Sequence, residues 1–180
     1  MRQYIRMIET KRLLLRKPTM DDANDMFFNW ASDPEVSKYL TWPAHTHIEE
    51  TKRIISLWLE QESRDGRKRF LIIDKANNEA IGCIDIVSFH EDGPEIGYCL
   101  TRRYWNKGIM TEVVKAYIPY LFSFGHACIH IAADVNNIGS NRVIEKCGFK
   151  FTHKEYKEHC SVFKPEPVTL NYYILKNPNK

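Results

Sequence analysis

Pairs of cysteines at short spacing are absent from this chain of 180 residues. Its five cysteines are an odd number, and no two of them form a C-x-x-C motif. A disulfide framework and a zinc site built from cysteine pairs are therefore both disfavoured. For neither histidine pair, His45-x-His47 or His126 with His130, do we expect a third ligand nearby. We therefore expect a reducing, cytoplasmic environment and no bound metal.

Long apolar runs and blocks of one charge are also absent. No segment approaches the roughly 18 uninterrupted apolar residues of a membrane-spanning helix, and no apolar signal core follows Arg2 and Arg6. The 26 basic and 23 acidic residues leave a net charge of +3 without an extended basic stretch. The sequence thus predicts a protein that binds neither membrane nor nucleic acid. With 43% hydrophobic residues, a single domain over residues 1–180 is the simplest organisation.

Both common glycine-rich nucleotide motifs are missing, although one loop of the chain suits a phosphate. The G-x-x-x-x-G-K-[ST] loop needs a lysine after its last glycine, whereas Lys107 precedes Gly108, and G-x-G-x-x-G does not occur. Residues 105–112, Trp-Asn-Lys-Gly-Ile-Met-Thr-Glu, lie between a strand-like segment at 95–101 and a long apolar helical pattern. A loop that leads directly into a helix presents unpaired N–H groups, which favour a diphosphate. The alternative is an ordinary strand-to-helix turn.

A second stretch, residues 137–149, follows the apolar strand-like segment 129–133. It reads Asn-Ile-Gly-Ser-Asn-Arg-Val-Ile-Glu-Lys-Cys-Gly-Phe. Asn137 is a favourable N-cap, and Gly148 suits the left-handed position after a helix end. By itself this pattern predicts only a short, well-capped helix.

Taken together, these stretches resemble the GNAT superfamily of N-acetyltransferases, and within it the branch of ribosomal-protein N-terminal acetyltransferases and their small-molecule-modifying relatives. The resemblance covers nearly the whole chain and rests on the order and spacing of three parts. These are the opening Ile-Glu-Thr-Lys-Arg-Leu-Leu-Leu-Arg at 8–16, the stretch 95–112, and Asn-x-x-Ser followed by Glu-Lys-x-Gly-Phe at 137–149. It implies an acetyl-CoA-dependent enzyme that acetylates a primary amine, either a protein N-terminus or a small molecule.

The resemblance also implies where CoA binds. The loop N–H groups would hold the pyrophosphate, and the pantetheine arm would pair along the preceding strand. The implied cofactor-binding residues are Leu100, Thr101, Trp105, Asn106, Lys107, Gly108, Ile109, Met110, Thr111, Asn137 and Ser140. The family's usual loop is [Q/R]-x-x-G-x-[G/A], from which this chain departs at Trp105, Asn106 and Met110.

Acetyl transfer to an amine needs a base, because only the neutral amine attacks a thioester. Glu95, on the strand before the loop, is the expected base, and the alternative is a solvent-facing glutamate. Many family members protonate the leaving thiolate with a tyrosine whose place is taken here by Ile144. Ser140 is therefore expected to assist the sulfur, with Tyr98 as a weaker substitute. A backbone N–H within residues 99–101 is expected to bind the oxyanion.

Two questions remain open at this point. The bulky Met110 and the missing tyrosine at Ile144 also fit a catalytically weak acyl-CoA-binding module of the same fold. The acceptor depends on the segments 30–47 and 156–168, which carry no recognisable motif, and a homodimer is possible.

Hydrophobic periodicity predicts the element order β-α-α-β-β-β-α-β-α-β-β. A helix capped by Thr19 should end at Asp33-Pro34, and Pro119 should kink or shorten the helix after the loop. The final strands are expected at 149–156 and 168–175. This order describes an α+β fold, and the resemblance implies the GNAT-type mixed, mostly antiparallel central sheet with helices on both faces.

Overall fold

The computed structural model describes residues 7–65 and 68–180, which form an eight-stranded sheet with helices on both faces. The strands are β1 (Met7–Glu9), β2 (Leu13–Arg16), β3 (Phe70–Asp74), β4 (Glu79–Phe89), β5 (Pro94–Leu100), β6 (Cys128–Asp134), β7 (Lys150–Lys157) and β8 (Val168–Lys176). Their spatial order is β1-β2-β3-β4-β5-β6-β8-β7. All neighbours are antiparallel except β5 and β6, which run parallel. The predicted α+β, mostly antiparallel sheet is confirmed.

The helices belong to two groups on opposite faces of the sheet. One group contains α1 (Ala23–Met26), the π-helical turn Phe27–Ala31, α2 (Pro34–Ser37) and α3 (Ile48–Asp65). The other group contains α4 (Ile109–Phe122) and α5 (Ile138–Lys146). Each group packs against its own hydrophobic cluster.

Strand β3 shows why the sheet can be buried on both faces. Its residues are almost continuously apolar, which is typical of a strand covered on both sides. Phe70 and Ile72 belong to the cluster under α4 and α5, whereas Leu71 and Ile73 pack against α1 and α3. Alternation along the strand sends successive side chains to opposite faces. All four side chains are at most 2% exposed.

Three local predictions need correction. Strand β1 was not predicted, because three residues are too few to show a period. Asp33 does not end the helical region but caps a further short helix, since its carboxylate accepts the N–H of Glu35 and Pro34 stands at the first helical position. Pro119 lies inside α4, which continues to Phe122. Within the described ranges, no helix is long and apolar enough to cross a membrane.

Candidate active site

The loop before α4 has the backbone shape of an anion site. Gly108 is left-handed, with φ of 72°, and Asn106 has φ of 58°. Asparagine tolerates this region better than most residues, which explains why it stands where the family branch often has glycine. The first helical hydrogen bond runs from the Glu112 N–H to the Gly108 carbonyl at 3.1 Å.

The first-turn N–H groups therefore point out of the helix. Among the described residues, no group accepts a hydrogen bond from the N–H of Ile109, Met110 or Thr111. Unpaired donors and the helix dipole together favour an anion at this end of α4.

Arg12, from the turn before β2, fixes this helix end to the sheet. Its guanidinium lies 2.7 Å from the Glu112 carboxylate and also donates to the Lys107 carbonyl at 3.0 Å. The Thr10 hydroxyl donates to the same carboxylate at 2.6 Å. Partial burial raises the pKa of Glu112, but the bonds from Thr10 and Arg12 outweigh it and leave that pKa below its ordinary value. Arg12 thus brings positive charge to the loop, a role that the sequence did not reveal.

Strands β5 and β6 separate shortly after they meet. Their pairing consists of Glu95 opposite His130 and Ile96 opposite Ile131. Beyond Ile96, the side of β5 that faces β6 is open toward the α4 loop. An extended chain with amide groups, such as pantetheine, can pair with such a strand edge.

Backbone alternation identifies the donors at this edge. The Thr101 N–H donates to the Ile81 carbonyl of β4 at 2.9 Å, so the N–H groups of Leu100 and Tyr98 point the other way, into the gap. The Leu100 carbonyl accepts the indole N–H of Trp105 at 2.7 Å. Among the residues expected to bind the oxyanion, the Thr101 N–H is already hydrogen-bonded to β4. The Leu100 N–H points into the gap and can donate to a ligand there.

Tyr98 and Ser140 meet on the α5 side of the gap. The two hydroxyl oxygens are 2.9 Å apart. Burial raises the pKa of Tyr98 well above its ordinary value, with the Ser140 bond acting in the opposite direction. Tyr98, ranked below Ser140 from the sequence, is therefore its direct partner.

Asn137 and its neighbour Asn141 shape the start of α5. The Asn137 side-chain oxygen accepts the Ser140 N–H at 3.1 Å, which confirms the predicted N-cap. Asn141 is 8% exposed. Its amide donates to the carbonyls of Asp134 and Asn137, and its oxygen accepts from Asn171 and Tyr173. This network holds the beginning of α5 against β6 and β8.

Glu95 lies on the opposite face of β5 from Tyr98. Its carboxylate accepts hydrogen bonds from the Ser88 hydroxyl and from His90 Nε2, each at 2.9 Å. The Glu95 side chain is 20% exposed and the His90 side chain 42%. The carboxylate is thus largely enclosed and held by two donors.

The structure does not bring Glu95 and Ser140 into contact, because alternation places them on the two faces of β5. It does place both beside the opening between β5 and β6. Met110 and Ile144, the two residues that raised doubt about turnover, are 5% and 0% exposed and belong to the core.

The chain belongs to the GNAT acetyltransferase family. The family model described as "Acetyltransferase (GNAT) domain" matches residues 12–150. The chain is 34% identical over 116 residues to the uncharacterized N-acetyltransferase p20 of Bacillus licheniformis, a match that covers 63% of this chain. It spans 65% of the length of p20 and 30% of the length of another curated relative.

Solved structures share the fold. A GNAT-family acetyltransferase from Bacillus anthracis is 27% identical, with a TM-score of 0.79 over 94% of this chain and 98% of that one. RimL, a ribosomal L7/L12 alpha-N-protein acetyltransferase whose structure was solved with coenzyme A, is 20% identical. Its TM-score is 0.82 over 97% of this chain and 99% of that one. The similarity to the ribosomal-protein branch is thus confirmed at the level of the fold.

Proposed function

We propose that this protein is an acetyl-CoA-dependent N-acetyltransferase that transfers acetyl to a primary amine within a ternary complex. The observation that carries the proposal is the gap beyond Ile96. It has the unpaired N–H groups of α4 at one end, Glu95 on one face and the Tyr98–Ser140 pair on the other. We also propose that residues 1–180 form one catalytic domain.

CoA binding would use mainly backbone groups. The N–H groups of residues 106–111 would hold the diphosphate, with Arg12 and Lys107 supplying charge at the loop. The Tyr98 N–H would pair with the pantetheine arm, the Leu100 N–H would face the thioester, and the Asn137 side-chain amide would bind the arm near α5. That RimL, which shares this fold, was solved with coenzyme A supports CoA as the ligand.

The chemistry would proceed by direct attack. Glu95 would take one proton from the acceptor ammonium, and His90, which is partly exposed, would pass it to solvent. The amine nitrogen then forms a bond to the thioester carbon while the Leu100 N–H stabilises the oxyanion. When the C–S bond breaks, the Ser140 hydroxyl would protonate the sulfur and take a proton from Tyr98. The nitrogen would lose its second proton in the same step, and an equivalent proton would return to Tyr98 through solvent. One amide and one free thiol form, and one net proton is released.

The acceptor would approach from the face that carries Glu95. On that face no helix packs against β6, β8 and β7 in the part of the chain that the structure describes. It presents His130, Tyr172 and the Glu155–Lys157 pair, whose charged atoms are 3.7 Å apart. The loop between β7 and β8 reaches the segment after α2, where the Ser161 hydroxyl donates to the Thr41 carbonyl. The two segments expected to select the acceptor thus adjoin each other.

The alternative of a weak acyl-CoA-binding module loses its motivation. The Met110 side chain lies in the core and adds no bulk at the loop surface. The Tyr98–Ser140 pair would offset the lack of a hydroxyl at Ile144. We therefore favour the enzyme.

The test is an acceptor screen with peptides, polyamines and aminoglycosides, followed by mass spectrometry of the acetylated product. Product masses are preferable to thiol reagents, because the chain has five cysteines of its own. Glu95→Gln should lower kcat on the order of 10²-fold or more while CoA affinity by calorimetry stays unchanged. Glu91→Gln, an exposed acid nearby, is the matched control. If no CoA species binds, the proposed function is wrong. If the rate of Glu95→Gln equals that of the wild type at all pH values, Glu95 is not the base.

A further inference from the structure

Three metal-ligating side chains converge at the turn between β4 and β5. His130 Nε2, on β6, lies 2.7 Å from Asp92 Oδ1 and 3.2 Å from Cys128 Sγ. The three donor atoms all lie within 4.8 Å of one another. In the sequence, His126 is the histidine that pairs with His130. In the structure, the possible ligands beside His130 are instead a cysteine two residues away and an aspartate from another element.

The backbone holds these donors in place. The N–H groups of Ala127 and Cys128 both donate to the Asp92 carbonyl, at 3.1 and 3.2 Å. Gly93 permits this contact, since a Cβ there would lie 1.9 Å from the Cys128 carbonyl oxygen. Cys128 and His130 are two residues apart on one strand, so their side chains leave the same face of the sheet. The cluster is therefore built by a tight packing of the turn against the start of β6.

The donor set has the chemistry of a zinc site. Imidazole nitrogen, thiolate sulfur and carboxylate oxygen are the three ligand types that Zn²⁺ takes in proteins. Zinc bonds of about 2.0–2.3 Å place tetrahedral donors roughly 3.3–3.6 Å apart. The separation of 2.7 Å between His130 and Asp92 is shorter by less than about an ångström, which a small rotation of the half-exposed Asp92 side chain can supply. The 3.2 Å between His130 and Cys128 is already close to the zinc range.

We propose that Asp92, Cys128 and His130 bind one Zn²⁺ ion, or another borderline-soft divalent cation, with solvent as the fourth ligand. Zinc would replace the protons that now link the three side chains. The His90 ring lies tilted against His130, with ring centroids 4.2 Å apart, and its Nε2 is bound to Glu95 rather than to the cluster. The half-exposed Asp92 leaves the fourth position to solvent. His130 also lies on the face proposed for the acceptor, but a test of zinc binding needs no activity.

Zinc binding to the full chain, stripped with a chelator, tests the site directly by competition with a chromophoric zinc chelator. One equivalent should bind. Asp92→Asn, Cys128→Ser and His130→Gln should each weaken the affinity at least about 10-fold, because each removes one of three protein ligands. The matched controls are His47→Gln and Cys160→Ser, which remove a histidine and a cysteine outside the cluster and should leave zinc affinity unchanged.

Cobalt provides a spectroscopic readout for the sulfur ligand. Co²⁺ in place of Zn²⁺ should give a thiolate-to-metal charge-transfer band that Cys128→Ser abolishes. Asp92→Asn and His130→Gln affect more accessible side chains, so they keep the test valid if the buried Cys128 variant fails to fold. No uptake of zinc, equal uptake in all five variants, or a cobalt band that survives in folded Cys128→Ser would overturn the proposal.

Discussion

Tyr98 illustrates how one side chain can change the interpretation of a site. From the sequence, its aromatic ring fits a packed strand residue, and its ring does pack against the core. Its hydroxyl nevertheless reaches Ser140, which lies 42 residues away in the sequence. Many family members carry a tyrosine hydroxyl on the last helix, and we propose that Tyr98 supplies that hydroxyl here from the neighbouring strand.

We predict that Tyr98→Phe and Ser140→Ala each slow acetyl transfer by up to about 10²-fold, because each breaks the proton supply to the sulfur. The double variant should be no slower than the slower single variant, since both residues act as one unit.

Asn137→Ala should instead lose about 1 kcal/mol of stability through its cap and raise the KM for acetyl-CoA. Steady-state kinetics beside thermal melts separate these effects. Fully additive rate losses, or melting losses with unaltered kinetics, would remove the pair from the mechanism.

The loop and first turn of α4 depend on two left-handed residues rather than on particular side chains. A Cβ on Gly108 would meet only Arg12, at 3.8 Å, so space does not limit that position. Its φ of 72° does. A β-branched residue is strained there, whereas glycine at Asn106 keeps the geometry.

Gly108→Val should therefore cost about 1–2 kcal/mol of stability and weaken CoA binding, because relief of the strain turns the N–H groups away. Asn106→Gly should bind CoA within about twofold of the wild type. Dephospho-CoA should retain much of the affinity, since the diphosphate is the bound group. Calorimetry with both ligands measures these effects. Wild-type CoA affinity in Gly108→Val would argue that the diphosphate lies elsewhere.

Local sequence signals predicted the helices and strands around the gap. They could not predict contacts between residues that are distant in the sequence. Asn137, Gly108 and Gly148 were readable because caps and left-handed turns depend on near neighbours. The Arg12–Glu112 pair joins residues 100 apart, and the zinc ligand Asp92 lies 38 residues from His130. Such contacts follow from strand order, which periodicity does not determine. The face on which Glu95 lies likewise follows from the register of β5.

The sheet as a whole has a closed half and an open half, and the gap lies between them. Strands β2, β3 and β4 are buried between helices on both faces, which gives the site a rigid wall. On the far side, β6, β8 and β7 leave one face uncovered within the described residues, where an acceptor can enter. This arrangement requires that the helices α1, α2 and α3 stay packed against the sheet.

Arg16 and Asp22 join β2 to the start of that helical group, in addition to its apolar contacts, and their pairing predicts how stability depends on pH. Arg16, on β2, donates two hydrogen bonds to the Asp22 carboxylate at 2.9 and 2.6 Å, and Asp22 is 5% exposed. Asp22 also accepts the Thr19 N–H at 2.7 Å. Burial raises the pKa of Asp22, but the bonds from Arg16 and Thr19 prevail and leave it below its ordinary value. A lowered carboxyl pKa stabilises the fold above the unfolded-state pKa of about 3.9, and the contribution is lost as pH falls below it.

Asp22→Ala should therefore lower the free energy of unfolding by about 2–3 kcal/mol at pH 7, because it leaves Arg16 and the Thr19 N–H without their acceptor. Asp21→Ala, an exposed neighbour in the same turn, should change it by less than about 0.5 kcal/mol. Urea denaturation at pH 7 and pH 3 checks both values. The difference in unfolding free energy between the Asp22 variant and the wild type should narrow at pH 3, because the carboxyl of the unfolded wild-type chain is then largely protonated. If the difference in unfolding free energy is the same at both pH values, Asp22 acts through packing rather than through its charge.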